Sequence, residues 1–277
     1  MTAVRFQLLG CEVEIRCEDP SLADRFRYVA LRAEQPIAPR KRLDYEVAGG
    51  GPFAIEQDGD PLDEVETADD ALFVVYRSCY GRAIERAALA GWVVFHGVLA
   101  RIAGRRHLIL GSKGSGKSTL ATHLLFAGHA VEGDELALAR GEEIVAFPRR
   151  FHLKPGIERD VPQLQAFLGD LPSVGERDRI RVAGLDPTEL GFRWRLERGP
   201  VERIVVITPN HGGATRMEPL PPHAVIERLL QCSFRWGESR RGLLAAASRL
   251  GGGGGWRLEL GNAEAAAAAL AKGGPAP

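Results

Sequence analysis

The sequence predicts an α/β protein with a small β-rich module at its N-terminus. Three features lead there. Residues 1 to about 70 form short runs of alternating apolar and polar side chains separated by turn residues. A glycine-rich loop, Gly111–Thr119, lies between an apolar run of strand type and an apolar run at helical spacing. Beyond it, strand-like and helix-like segments interleave almost to the end of the chain, the arrangement expected of a sheet covered by helices.

Taken in order, Val4-Arg5-Phe6-Gln7-Leu8 and Glu12-Val13-Glu14-Ile15-Arg16 alternate as half-buried strands do, because successive side chains leave a strand on opposite faces. Asp44–Val47 and Phe53–Ile55 make two further strands around Gly49-Gly50-Gly51-Pro52, and Asp58-Gly59-Asp60-Pro61 is a turn. From Ala68 to Ala90 the pattern becomes helical, with Leu72, Val75, Cys79, Ile84 and Ala88 near one face. The organisation that follows is a β-rich module over residues 1–88 and a loop-bearing domain over residues 89–277. In that domain Trp92–Ile102 is a strand, Arg105-Arg106 leads into the strand ending at Leu110, and Thr119–Ala127 is a helix stopped by Gly128. Strands are expected at Ala130–Glu135, Leu136–Leu138, Glu143–Phe147 and Val201–Ile207, and a helix at Pro222–Cys232. Leu153–Leu196, broken by Pro155, Pro162, Pro172 and Pro187, reads as loops and short helices over the active face. Gly251–Gly255 reads as a flexible surface turn, Ala263–Ala271 as a short helix, and residues 272–277 as a disordered end.

Composition narrows the class. Lys plus Arg and Asp plus Glu number 36 each, so no global field favours nucleic acid. The four cysteines, Cys11, Cys17, Cys79 and Cys232, are scattered without Cys-x-x-Cys or zinc spacing and read as reduced thiols of a cytoplasmic protein. No apolar run reaches membrane-spanning length, and Met1–Gly10 is too short and mixed for a signal peptide.

The loop Gly111-Ser112-Lys113-Gly114-Ser115-Gly116-Lys117-Ser118-Thr119 matches the Walker A pattern G-x-x-x-x-G-K-[ST] at every position. Glycines allow close approach of the backbone and the positive dihedrals such a loop needs, so that successive N–H groups cup a phosphate. The start of the next helix adds positive potential. Lys117 supplies a charge to the terminal phosphates, and the Ser118 hydroxyl is placed to ligate Mg2+. Binding of a nucleotide with Mg2+ follows; which nucleotide, and which reaction, does not.

A phosphate loop that works on Mg2+ needs carboxylates, and Asp134-Glu135 lies one helix further on, where a neighbouring strand ends. Two adjacent acids can divide the work, one binding metal and the other accepting the proton of an acceptor hydroxyl. Arg149, Arg150 and Lys154 form a basic run that reads either as surface charge or as a phosphate or acidic-peptide contact. His96, in an apolar strand, reads first as a structural residue, and the other six histidines do so outright.

Three blocks together, His96-Gly97-Val98-Leu99, the loop from Gly111 to Thr119, and Ala127-Gly128-His129-Ala130-Val131-Glu132-Gly133-Asp134-Glu135, are similar in order and spacing to the core of the HPr kinase/phosphorylase family. The resemblance covers residues 92–138. It implies a P-loop phosphoenolpyruvate-carboxykinase-like α/β core with a mixed sheet and ATP-dependent phosphorylation of a serine on a small protein or peptide. It implies a catalytic role for Asp134 as acid/base, for His96 as its assistant and for Lys117 at the phosphates. Ser118, Asp134 and Glu135 would lie near the metal. It also implies self-association into a homo-oligomer. The chain carries Asp134-Glu135 where the family carries two aspartates, and it lacks the downstream glycine-flanked glutamate signature. It is thus more similar to HPr-kinase-related proteins, some of which accompany lasso-peptide and other peptide-modification pathways. The alternative is a nucleotide-binding ATPase or switch without a protein acceptor, with Asp134-Glu135 as a metal and water site; that reading leaves His96 without a role.

Overall fold

The computed structural model describes residues 1–169, 171–175, 181–234 and 240–273. Among these residues it is a mixed α/β structure with three sheets, two of them mixed. The first contains β1 (Thr2–Leu8), β2 (Cys11–Cys17), β3 (Lys41–Ala48), β4 (Phe53–Gln57) and β5 (Asp60–Val65), in that order. Helix α1 (Pro20–Phe26) makes β2 and β3 parallel by carrying the chain across; the other neighbours are antiparallel. Asp19 caps α1, its carboxylate accepting from the Ser21 N–H at 2.8 Å, with Pro20 at the first helical position. Helix α2 (Ala68–Leu89) is capped by Thr67, whose hydroxyl accepts from the Asp70 N–H at 3.1 Å. It buries Leu72, Val75, Cys79, Ala83 and Ile84, four of them at the spacing of one helix face.

The second sheet positions the loop. Its path is β10 (Glu143–Ala146), β9 (Leu136–Arg140), β6 (Val93–Ile102), β7 (Arg105–Leu110), β14 (Arg203–Pro209), β17 (Gly255–Leu260) and β15 (Arg216–Leu220). Strands β8 (Ala130–Gly133) and β16 (Ser233–Phe234) also pair with β6. Strands β7, β14 and β17 run parallel, whereas β6 is antiparallel to β7. Among the described residues four helices complete the fold of this part: α3 (Lys117–Phe126), α4 (Pro222–Gln231), α5 (Arg240–Gly251) and α6 (Ala263–Lys272). Gly128, at φ 85°, ends the first of these as the sequence suggests. The core centres on β6 and β7, where Leu99, Ala100, Ile102, Leu108, Ile109 and Leu110 are inaccessible to solvent. A second cluster under the first sheet and α2 continues into Trp92, Val94, Leu138, Val145 and Phe147 of this part.

Two sequence expectations change. Within Leu153–Leu196 the short helices are present at Ile157–Arg159, Pro162–Ala166 and Pro187–Leu190. They are joined by a small antiparallel sheet of β11 (Phe151–Leu153), β13 (Arg181–Leu185) and β12 (Ser173–Gly175), whose pairings are too short for alternation to reveal them. Nor is the glycine run at 251–255 a loose turn. It ends helix α5 (Arg240–Gly251) and enters β17. A Cβ on Gly251 would lie 2.8 Å from Ile226 Cγ1, and one on Gly255 2.5 Å from the Ile204 carbonyl oxygen, so close packing requires glycine there. Of the expected disordered end, Lys272 closes α6 and residues 274–277 lie outside the described residues. All four cysteines are buried free thiols, and among the described residues no helix is long and apolar enough to cross a membrane.

Candidate phosphate-loop site

Strand β7 delivers the loop at its C-terminal end. Gly114 and Gly116 take φ of 82° and 91°, the left-handed region that glycine enters without a Cβ penalty. A Cβ on Gly111 would lie 2.4 Å from Ser115 Oγ, so the turn closes only around glycine. Helix α3 begins directly at Lys117, and the amides of its first turn have no intrahelical acceptor. The Lys117 ammonium donates to the carbonyls of Gly111 at 2.7 Å and Ser112 at 3.0 Å. Burial holds its pKa below the ordinary lysine value, while Cys232, Glu135 and Asp134 act in the opposite direction.

The antiparallel neighbour β6 starts where β7 ends, so Gly97 stands opposite Leu110 and His96 comes to the loop. Gly97 leaves no spare room: a Cβ there would lie 3.0 Å from the Ile109 carbonyl oxygen. The Gly97 N–H donates to the Glu135 carbonyl at 2.8 Å, fixing the acid pair between β8 and β9 against the same strand. Thus the sheet brings His96, the loop and Asp134-Glu135 to one end, around a cavity of about 1000 Å³. Every loop residue from Gly111 to Thr119 lines it except Ser115, which is buried beneath the turn.

Asp134 is 3% exposed, and its Oδ2 has no hydrogen-bond partner among the described residues. Burial pushes its pKa up to about 7, opposed by Arg149 and a hydrogen bond with Ser118 and reinforced by Glu135. Glu135 is ion-paired with Arg149. His96 is half-buried, with Phe234 edge-on at 5.8 Å between ring centroids, and its buried Nδ1 has no hydrogen-bond partner among the described residues. Burial first, then the Lys117 charge, bring its pKa down to about 4, so the ring is neutral at pH 7.

The basic run divides. Arg149 and Lys154 face the cavity. Arg150 does not: it is buried on the other side, donating to the Tyr28 carbonyl at 2.8 Å and to both carboxylate oxygens of Glu189 at 2.6 and 2.7 Å. It joins the first part of the chain to the second and does not line the cavity at the loop. Sequence reasoning missed His152, His211 and Arg228, which also line the cavity. For His211 a signal existed: it follows the parallel neighbour of the loop strand, and ligands of open α/β sheets lie at the carboxyl ends of adjacent strands.

No family model matches the chain, and no curated protein matches it. Among solved structures, the chain is similar to the Hpr(Ser) kinase/phosphatase from Coxiella burnetii, at 15% sequence identity and a TM-score of 0.26, over 45% of this chain and 76% of that one.

Proposed function

We propose that this chain is a kinase that uses ATP and Mg2+ to phosphorylate a serine hydroxyl on a small protein or peptide. One observation carries the reading: a loop with a complete Walker A pattern shares its cavity with a buried acid, Asp134, whose Oδ2 has no hydrogen-bond partner among the described residues. Burying a carboxylate without pairing it costs stability, and such groups concentrate where chemistry uses them.

The residues fit a divalent cation and a triphosphate. Ser118, Asp134 and Glu135 offer the hard oxygen donors that Mg2+ prefers, and Asp134 Oδ2 has no hydrogen-bond partner among the described residues. When bound, Mg2+ would neutralise charge on the phosphates. The loop amides and Lys117 hold and orient the donor. Asp134 orients the serine hydroxyl and accepts its proton. The neutral His96 ring assists Asp134, and Arg149 keeps Glu135 in place through their ion pair. The serine acceptor follows the resemblance of residues 92–138.

The test is incubation of the full chain with γ-labelled ATP, Mg2+ and a panel of acceptors: an HPr-type carrier and precursor peptides ending in serine. Label on a serine is the expected result. Label released only as free phosphate would overturn the kinase reading and favour an ATPase.

A further inference from the structure

The acids and His96 occupy one flank of the loop, the side of β6 and β8. A nucleoside triphosphate held by Gly111–Thr119 with its reactive end toward Asp134 would extend its other end to the opposite flank. That flank belongs to β14, the parallel neighbour of β7. The segment after β14, Asn210–Thr215, is built to be rigid. The Asn210 N–H donates to the Leu260 carbonyl at 2.9 Å, and the Gly212 N–H to the Gly261 carbonyl at 3.2 Å. Asn210 Nδ2 donates to the Ala214 carbonyl at 3.0 Å, and the Gly261 N–H to Thr215 Oγ1 at 3.1 Å. A Cβ on Gly261 would lie 2.0 Å from the Gly213 carbonyl oxygen, so the two backbones touch only because residue 261 is glycine.

This framework presents one aromatic side chain, His211, exposed and lining the same cavity. Its Cε1 lies 3.7 Å from where a Cβ of Gly116 would stand, directly before Lys117. Gly116 has no side chain to fill the space between. A flat, exposed ring beside the far end of a phosphate loop suits stacking on a base.

We propose that Asn210–Thr215 is the nucleoside seat, with the His211 imidazole stacked on the base. The proposal rests on the reading of Gly111–Thr119 as a nucleoside-triphosphate loop. Stacking without hydrogen-bond readout tolerates different bases, so ATP and GTP would bind alike.

Calorimetric titration of the full chain with ATP and with inorganic triphosphate, each with Mg2+, tests it. His211→Ala is expected to weaken ATP binding about tenfold while leaving inorganic triphosphate unchanged, and His211→Trp to restore ATP. His211 is exposed, so the melting temperature of both variants should match the wild type and report that they are folded. Unchanged ATP binding in His211→Ala, or equal weakening of both ligands, overturns the proposal. Wild-type protein that binds inorganic triphosphate as tightly as ATP removes the nucleoside seat but keeps the phosphate loop. Wild-type protein that binds neither removes both.

Discussion

Arg106 and Glu132 form a two-point ion pair closed to solvent, Nε to Oε1 at 2.6 Å and Nη2 to Oε2 at 2.7 Å, with the two residues 1% and 2% exposed. Arg106 lies in the strand that feeds the phosphate loop, and Glu132 two residues before Asp134. The remaining Arg106 donors reach the carbonyls of Ile144, Gly199 and Glu197 at 3.0, 2.7 and 2.7 Å. Glu132 also accepts from the Glu197 N–H at 3.0 Å. The pair therefore ties the strand that feeds the loop to the strand that leads to Asp134.

Removing one partner leaves the other charge buried and alone. Glu132→Gln and Arg106→Met are each expected to cost about 3–5 kcal/mol in denaturant unfolding. The double variant, which leaves no isolated charge, should lose less than the sum of the two.

The glycine run separates close packing from flexibility. Gly255→Ala is expected to destabilise by about 1–3 kcal/mol, because its Cβ meets the Ile204 carbonyl. Gly253→Ala, with nothing within 4 Å, should stay within about 0.5 kcal/mol of wild type. Equal effects in thermal melts would contradict the packing.

His107 is fully buried, its Nδ1 2.8 Å from the Arg105 carbonyl, and burial brings its pKa down to about 4. The unfolded chain binds this proton near pH 6.5 and the folded chain does not. Stability is thus retained above pH 6.5 and lost as pH falls toward 4, by up to about 1.4 kcal/mol per pH unit from this group. His107→Leu should flatten the profile of unfolding free energy over that range.

Asp134 is a buried acid with an unpartnered oxygen among the described residues, a setting that costs stability. In metal-free buffer at pH 8, Asp134→Asn is expected to raise the melting temperature, because an amide is cheaper to bury than a carboxylate with an unpartnered oxygen. A lower melting temperature would count against the account of this residue.

What was legible in the sequence was local. The loop from Gly111 to Thr119, the strand before it and the helix ending at Gly128 announce themselves by glycine placement and apolar spacing. The same holds for α2, whose periodicity runs through Leu72, Val75, Cys79 and Ile84. The short helix α1 carried an Asp-Pro-Ser start at Asp19–Ser21, a signal that was present and overlooked among the neighbouring strands. Roles set by distant partners were not legible. Arg149 and Arg150 are adjacent and chemically alike, yet one faces Glu135 in the cavity and the other is tied to Glu189 and Tyr28. The importance of Glu132 depends on Arg106, which lies 26 positions away. Gly251–Gly255 misled because glycine in a packed junction and glycine in a loose turn look the same until the neighbouring backbone is known.

The most direct measurement is single-turnover transfer of labelled phosphate from ATP to an acceptor, alongside nucleotide affinity, for wild type, Lys117→Ala and Asp134→Asn. Lys117→Ala is expected to lose both binding and transfer. Asp134→Asn is expected to keep nucleotide affinity within about threefold and to lose transfer by about 10²–10⁴-fold, the range of a general base. Transfer by Asp134→Asn at the wild-type rate would contradict the claim that this buried acid receives the acceptor's proton.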